Sequence, residues 1–254
     1  MSDFYRRLST RLGRDKVFWL VVAGIFLTYV VLQTQVGLTF LFTLVALLIA
    51  ITVHECCHAW VADLLGDPTA RLRGRVSLNP LRHLDPTGTV MMLISALTGF
   101  GIGWGKPVPV TPYRLKYGSR RGEALVALSG PASNLAVAAV VGILLRLAIR
   151  WMAPMPILFL LFQAIVITNI AIAMFNLIPL PPLDGHSVLL GLLSLSRGRW
   201  AWEAMQFVNG LRSYGPMILL GLIIFSQFLG LNLLGVLIGP PIWFFYRLIM
   251  GSPA

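Results

Sequence analysis

Charged residues are scarce in this chain of 254 residues: they make up 11% of it, whereas apolar residues make up 57%. Soluble domains contain about 25% charged and about 45–50% apolar residues. The mean hydropathy of +0.82 points the same way. The composition therefore leaves no room for a sizeable soluble domain and predicts a polytopic membrane protein.

Cysteines and acidic residues are also few. The two cysteines, Cys56 and Cys57, are adjacent, and this arrangement predicts no disulfide framework. Nine acidic residues face 20 lysines and arginines, which gives a net charge of +11. Such a charge would suit a nucleic-acid binder, but the basic residues cluster at the ends of apolar segments, as topology signals do. We therefore predict a lipid bilayer, and no nucleic acid, as a partner.

Six apolar segments approach the length of about 17–25 residues that a spanning helix needs. They cover roughly 17–34, 38–65, 122–149, 156–178, 214–230 and 232–249. We interpret the whole chain, 1–254, as one integral membrane domain with a core at about 38–190. Residues 1–16 are predicted to form a basic cytoplasmic tail, and residues 214–249 a C-terminal helical hairpin.

The distribution of basic residues predicts the orientation of these segments. The basic tail places the N-terminus in the cytoplasm, and the arginines of 71–82 then lie in a cytoplasmic loop. The basic stretch 105–121 would lie outside if the apolar, glycine-containing stretch 87–104 crossed the membrane. We therefore predict that 87–104 is re-entrant or packed against the bundle, which gives six spans and two cytoplasmic termini.

The loop between the second and third spans carries two extended patterns. Residues 71–78 alternate with a period of two, which is typical of a strand. Residues 106–111 also look extended, although Pro107 and Pro109 confine them to a sheet edge. The predicted fold class is thus an all-α polytopic membrane protein, with about six transmembrane helices and a small membrane-associated β element.

The second span contains the motif His54-Glu55-Cys56-Cys57-His58. Histidines four residues apart share one helix face and can bind zinc, with the glutamate beside them as a base. Ionisable side chains within a membrane span are costly and usually functional. The motif therefore predicts a metalloprotease with its active site in the membrane.

A catalytic zinc usually takes three protein ligands, and Asp184 is the strongest candidate for the third. It follows the fourth span in a segment whose three prolines break the helix. Irregular backbone at membrane depth is tolerated where it is buried in protein or lines a cavity. About sixteen residues at ~1.5 Å each put His54 roughly 24 Å into the membrane. That depth lies towards the cytoplasmic side, where Asp184 also arrives.

These residues carry a resemblance to the site-2 proteases, a family of intramembrane zinc metalloproteases. The zinc motif at 54–58 and the segment Asn176-Leu-Ile-Pro-Leu-Pro-Pro-Leu-Asp-Gly185 resemble the two family signatures, and segments 77–89, 105–110 and 130–134 resemble further family segments. The resemblance implies that Asp184 is the third zinc ligand and that Asn134 steadies the oxyanion or the substrate backbone. Without a PDZ or CBS-like segment, the chain resembles the minimal members.

The resulting hypothesis is hydrolysis of a peptide bond within or beside a transmembrane segment of a membrane protein, as in regulated intramembrane proteolysis. Zinc on His54, His58 and Asp184 would polarise the carbonyl, and Glu55 would act as the base. The expected substrate is a transmembrane protein, which another protease can cut first. The expected location is the inner membrane of a bacterial cell, with the site towards the cytoplasm. The alternatives are a membrane zinc carrier or sensor and an inactive scaffold that binds membrane segments.

Several other polar residues have a structural role as the default. His83 and His186 are expected to be structural or to lie behind the ligands, and Asp63 and Asp67 to act near a helix end. Asn134, Asn169 and Asn176 are amides within spans, for which hydrogen bonds between helices are common. For Asn134 this role and the role implied by the family resemblance are both open, and for Asn169 and Asn176 contact with a substrate is the alternative.

Overall fold

The computed structural model describes residues 35–98, 105–151, 156–228 and 232–251. Within these ranges the chain is largely helical. The helices are α1 (Gln35–Leu64), α2 (Thr69–Leu72), α3 (Pro86–Thr98), α4 (Ser119–Trp151), α5 (Pro156–Asn176), α6 (Asp184–Leu193), α7 (Arg199–Gly210), α8 (Gly215–Phe228) and α9 (Leu233–Met250). Short 3₁₀ turns lie at Pro80–Arg82 and Pro112–Arg114.

Four of these helices are long and apolar enough to cross a membrane, namely α1, α4, α5 and α9. A fifth span results if α7 and α8, which meet at a bend of 69°, form one broken span. The structure thus confirms a protein with transmembrane helices. The count of six spans is not confirmed, because the predicted first span, 17–34, lies outside the described residues.

The predicted β element is not found. The prediction of a strand over 71–78 is wrong, because Thr69–Leu72 form the short helix α2 and Gly74 turns the chain at a φ of +67°. The alternation does not separate a buried face from an exposed one, because the apolar Leu72, Val76 and Leu78 are exposed. Arg75 is buried, and its guanidinium donates to backbone carbonyls, including that of Lys106. Residues 106–110 have no regular secondary structure, and the described ranges contain one isolated antiparallel bridge, between Leu84 and Gly105, but no strand.

The residues that flank the stretch 87–104 lie together. Leu84 and Gly105 form the bridge on either side of it, and the Lys106 amide donates to the His83 carbonyl at 2.6 Å. Helix α3 has 13 residues, or about 20 Å at ~1.5 Å per residue, whereas the hydrocarbon core is about 30 Å thick. Residues 99–104 lie outside the described ranges, so the choice between a re-entrant stretch and one packed against the bundle stays a prediction.

The ends of α1 and α4 also lie together. The Lys116 amide, just before α4, donates to the Leu65 carbonyl just after α1, at 2.8 Å. Helices α1 and α4 run antiparallel, since Ala50 contacts Asn134 and His58 contacts Val126. Helices α4, α5 and α9 share a hydrophobic cluster built around Ala138, Val166, Ile170, Ala173 and Met174.

Candidate metal centre

One face of α1 is a stripe of buried residues spaced four apart: Ala46, Ala50, His54, His58 and Ala62. Residues at this spacing lie above one another on a helix. The alanines let helix α4 approach closely, as small residues do between membrane helices. The two histidines are therefore buried on the packed face of α1, with exposures of 6% and 7%.

Helix α4 is shaped to accept the two histidine rings at Gly130. A Cβ atom on this residue would lie 2.5 Å from the Cε1 and Nε2 atoms of His58 and 2.6 Å from Cε1 of His54. The next residue, Pro131, is fully buried inside α4. The absence of a side chain at Gly130 thus leaves the space that the metal-facing edges of the rings occupy.

Asp184 is brought to the same place by the turn after α5. It is the first residue of α6, and the backbone of Gly185 packs against the end of α5. A Cβ atom on Gly185 would lie 2.3 Å from the Leu177 carbonyl oxygen. The sequence Asp-Gly therefore lets α6 begin directly beneath α5 and direct its first carboxylate towards α1.

The three predicted ligands meet. The Nε2 atoms of His54 and His58 lie 3.0 and 3.3 Å from Oδ2 of Asp184. One potential ligand atom from each of the three residues lies within 4.8 Å of the others. The sequence prediction that His54, His58 and Asp184 come together is therefore matched by the geometry.

The donor set of this cluster fits a cation. Nδ1 of His54 lies 2.7 Å from Oδ1 of Asn134, and Nδ1 of His58 lies 2.7 Å from the Val126 carbonyl oxygen. Each ring therefore donates from Nδ1 and, when neutral, presents a lone pair on Nε2. These lone pairs face Oδ2 of Asp184, which is buried and lacks a hydrogen-bond donor. Three converging electron-pair donors of this kind are what a metal ion binds.

Protonating both rings would be one way to satisfy Asp184 without a metal ion. The ring centroids of His54 and His58 are only 4.5 Å apart. Two imidazolium charges would then be buried side by side against one carboxylate, and buried like charges repel strongly. The geometry therefore favours a metal ion over a doubly protonated pair.

Glu55 lies next to the cluster on the adjoining face of α1. It is half-buried, and no hydrogen bond to its carboxylate is formed within the described ranges. The backbone of Gly105 passes over it, since a Cβ atom there would lie 3.1 Å from both Cγ and Oε1 of Glu55. Among the described residues no hydrogen bond engages this carboxylate, which suits a group that accepts a proton beside a metal site.

The loop over Glu55 is held by Arg75. This side chain is 6% exposed, and its guanidinium donates to the carbonyls of Arg82, Lys106 and Pro107. Burial lowers the pKa of Arg75, and the nearby Glu55 carboxylate partly opposes this shift. A cation is thus fixed near Glu55, a feature that the sequence analysis did not assign to Arg75.

Asp67 fixes the same loop at its other end. It is fully buried and accepts hydrogen bonds from the hydroxyl and amide of Thr69 and from the amide of Thr111. Burial alone would raise its pKa, but these hydrogen bonds and the charge of Arg114 hold the pKa below its ordinary value. Asp63 forms an ion pair with Arg71 at 3.1 Å, so both aspartates act near the end of α1, as expected.

The other histidines lie away from the cluster. His83 is fully buried, with Nε2 at 2.6 Å from the Ser77 carbonyl. His186 lies two residues after Asp184, yet its Nε2 faces the Val208 carbonyl of α7 at 3.2 Å. Cys56 and Cys57 are free and half-buried. None of these side chains joins the ligand set formed by the described residues.

Asn134 lies behind His54, on the side opposite to Asp184. Its amide group contacts Nδ1 of His54, the Ala50 carbonyl and Oδ1 of Asn169, and the side chain is fully buried. Sequence reasoning left contact with a substrate open for Asn169 but did not foresee its contact with Asn134, and it gave no part to the Val126 carbonyl. A backbone carbonyl carries no sequence signal, and an amide in an apolar helix shows no partner until the helices are packed.

Comparison with known proteins gives the cluster a context. Over 157 residues, which are 60% of this chain, the chain is 37% identical to the protein named "Putative zinc metalloprotease YwhC" of Bacillus subtilis and covers 69% of it. The chain belongs to the site-2 protease family. The membership agrees with the resemblance noted in the sequence and identifies zinc as the metal of the family.

Two further relatives are more distant. The chain is 31% identical to the "Putative zinc metalloprotease Rip2" proteins of Mycobacterium tuberculosis, over 66% of this chain, and of Mycolicibacterium smegmatis, over 59%. It covers 63% and 56% of those proteins, less than two thirds of either. No protein-family model and no solved structure matches the chain.

Proposed function

We propose that this protein is an intramembrane zinc metalloprotease that hydrolyses peptide bonds within or next to transmembrane segments of membrane proteins. The observation that carries the proposal is the convergence of two histidine Nε2 lone pairs and the Asp184 carboxylate, with Glu55 beside them. Both histidines and Glu55 lie within α1, a helix apolar and long enough to span a membrane.

Each residue has a defined task in this reaction. His54, His58 and Asp184 would hold zinc, which supplies a polarised carbonyl and a bound water with a pKa lowered towards about 7. Glu55 accepts a proton from the attacking water. As the C–N bond breaks, Glu55 passes that proton to the leaving nitrogen, so the products are a carboxyl group and an amine.

The segment 106–110 offers a surface for an unwound substrate. Within the described ranges, the backbones of Val108 and Val110 form no hydrogen bond. The segment begins over Glu55, at Gly105, and is anchored by Arg75 and Asp67. An extended peptide can pair with such a free edge. This geometry supports capture of an extended substrate beside the proposed base.

The position of the basic residues supports a site near the cytoplasm. Helix α1 ends six residues after His58, at Leu64, or about 9 Å along the helix axis. The exposed basic side chains beside that end include Arg71, Arg73, Lys106, Arg114 and Lys116. Basic residues mark the cytoplasmic face, and the relatives come from bacteria. We therefore place the protein in a bacterial inner membrane.

The test of the function uses the Glu55→Gln variant. This change keeps the size of the side chain and the three ligands but removes the base. We expect cleavage of membrane proteins to fall by about 10²–10⁴-fold while zinc content stays at one ion per chain. Glu203→Gln is the matched control, because Glu203 lies exposed on α7 and only pairs with Arg199.

Comparing membrane-protein fragments from cells that contain each variant provides the measurement. Full cleavage by Glu55→Gln would rule out the proposed base. A wild-type chain that binds zinc and moves it across vesicle membranes, but yields no fragments, would instead support the zinc carrier.

A further inference from the structure

A chain of hydrogen bonds connects α5 to Nδ1 of His54, the ring nitrogen that faces away from the metal cluster. Asn169 donates from Nδ2 to the Ile165 carbonyl at 2.8 Å, and its Oδ1 accepts from Nδ2 of Asn134 at 2.9 Å. The other hydrogen of that Nδ2 is directed at the Ala50 carbonyl at 3.0 Å. Oδ1 of Asn134 then lies 2.7 Å from Nδ1 of His54.

Two backbone carbonyls fix the direction, from donor to acceptor, in which these hydrogen bonds run. A carbonyl can only accept, so Asn169 must turn its NH₂ group to Ile165 and Asn134 must turn its NH₂ group to Ala50. The free oxygen of Asn169 then accepts from Asn134, and the oxygen of Asn134 faces His54. Flipping either amide would bring two donors or two acceptors together.

The direction of these hydrogen bonds determines which ring nitrogen of His54 carries the hydrogen. Because Asn134 presents an oxygen, the neutral His54 ring carries its hydrogen on Nδ1 and keeps the lone pair on Nε2. Asp184 would favour the opposite tautomer without a metal ion, since its Oδ2 lies 3.0 Å from Nε2. Partners behind metal-bound histidines are known to set the ring orientation and tautomer.

The burial of both asparagines argues that they act on His54 and do not contact a substrate. Asn134 and Asn169 are both fully buried, and both hydrogens of the Asn134 amide already have acceptors. An oxyanion needs a donor aimed at the reacting carbonyl, and the oxygen that Asn134 directs at His54 cannot serve as one. The placement therefore favours an action through His54 over the role that the family resemblance implied.

We propose that Asn134 and Asn169 are positioning residues that form a polarised amide relay and hold His54 in the Nδ1–H tautomer, ready to bind zinc. The proposal rests on the proposed function only in naming zinc as the metal. The relay ties together α1, α4 and α5, so the packing of three helices sets the chemistry of one ligand.

Leucine substitutions test the relay. In Asn134→Leu the acceptor for Nδ1 is gone, and zinc affinity should fall about 10–100-fold, as for other partners of metal-bound histidines. In Asn169→Leu the acceptor that orients Asn134 is gone, and we expect a smaller fall in the same direction. Gln163→Leu is the control, because it removes a hydrogen bond between α5 and Tyr246 of α9 away from the metal cluster.

Zinc affinity is measured by competition with a chelator, using purified full-length protein in detergent. The chain has only four histidines, so ¹⁵N-histidine labelling resolves the tautomer of His54 in metal-free protein at a pH where the rings are neutral. Wild type should show more of the Nδ1–H form than either asparagine variant. Gln163→Leu should match wild type in both measurements.

Asn169→Thr provides a second variant if leucine prevents folding. Threonine can still bond the Ile165 carbonyl one turn earlier in the helix but is too short to reach Asn134, so it should also lower zinc affinity. Unchanged affinity and unchanged His54 tautomer in a folded Asn169 variant would overturn the relay. The tautomer is read without zinc or substrate, so absence of proteolysis would reject the proposed function and leave this result standing.

Discussion

In each histidine of the metal cluster, the ring nitrogen that faces away from the metal, Nδ1, donates a hydrogen bond to a buried oxygen of the protein. For His54 the oxygen belongs to Asn134, and for His58 it is the Val126 carbonyl of α4. Such partners fix the ring and raise the basicity of the nitrogen that binds the metal. The ligand geometry is therefore set by contacts between helices and not by the motif of α1 alone.

The third ligand is tested by comparing two residues of one turn of α6. Asp184→Ala should remove zinc from the purified protein, because its carboxylate is the only group from α6 in the cluster found among the described residues. His186→Ala should keep it, because that ring faces the Val208 carbonyl. Metal analysis provides the measurement, and loss of zinc from His186→Ala with retention in Asp184→Ala would show the assignment to be wrong.

A single methyl group added at Gly130 should disturb the two histidine rings and weaken zinc binding. In Gly130→Ala the added Cβ would lie 2.5 Å from Nε2 of His58, so the rings must shift and zinc affinity should fall at least about tenfold. Gly221→Ala in α8 is the control, because the space around that glycine is open and alanine favours a helix by about 1 kcal/mol. Equal zinc affinity in the two variants would contradict the packing argument.

At the scale of elements, the loop around Glu55 is held by single polar side chains at each end. Arg75 anchors residues 106 and 107, and Asp67 anchors Thr111. The isolated bridge between Leu84 and Gly105 joins the two ends of the stretch 87–104. Among the described residues these anchors take the place of a sheet, and the backbones of Val108 and Val110 form no hydrogen bond there.

The Asp67 anchor should make this loop sensitive to acid. The pKa of Asp67 is lower in the folded protein than in the unfolded chain, so its stabilising effect is complete above the ordinary value of about 3.9. The effect is lost as the pH falls below that value towards the folded pKa. Hydrogen exchange of the segment containing Thr111 should therefore accelerate on acidification in wild type.

In Asp67→Asn, exchange in this segment should already be fast at neutral pH and should change less on acidification. Asp63→Asn is the control, because Asp63 pairs with Arg71 and does not contact the Thr111 segment through any hydrogen bond. Slow exchange at neutral pH in Asp67→Asn would show that this carboxylate does not anchor the loop.

At the scale of the whole molecule, the antiparallel arrangement of α1 and α4 places both ends of the intervening segment together. The contact between Leu65 and Lys116 requires that residues 66–115 return to the side from which they left. We therefore expect the basic residues of this segment to share one side of the membrane, in line with the positive-inside rule. Six crossings with both termini in the cytoplasm remain the prediction for the full chain.

Cysteine labelling in cells tests this topology in a background without Cys56 and Cys57. We expect Lys116→Cys and Met250→Cys to react from the cytoplasmic side, because the basic segments lie there. Ile157→Cys, exposed near the start of α5, should react from the other side. Labelling of position 116 from outside would mean that residues 87–104 cross the membrane.

Substrate choice is also a property of the whole assembly. A substrate helix must open before its peptide bonds can reach a site inside the bundle, and each unpaired backbone group in lipid costs several kcal/mol. Good substrates should therefore carry glycine or proline near the cut, and the cut should fall in the cytoplasmic half. Replacing these residues with leucine and mapping the product termini tests this, and undiminished cleavage or a cut in the outer half would contradict it.

The sequence predicted that the three proposed ligands lie together, in part because the placement of two of them follows from local geometry. A spacing of four residues places His54 and His58 on one helix face, whatever surrounds the helix. The structure places Asp184 beside both rings. The strand predicted over 71–78 failed because alternation along the sequence does not fix the backbone. Here the apolar residues of the pattern are exposed, and the buried Arg75 bonds carbonyls in a loop.

The sequence by itself determined that this is a membrane protein and that α1 carries a zinc motif, and it predicted an aspartate after a broken helix as the third ligand. Those features depend on composition and on neighbours along the chain. Only the tertiary structure decided that Gly130 leaves space for the rings, that Arg75 lies near Glu55, and that Asn169 orients Asn134 behind His54. These depend on contacts between residues more than 15 positions apart, and the side chains on either side of such a contact carry no mark of their partner.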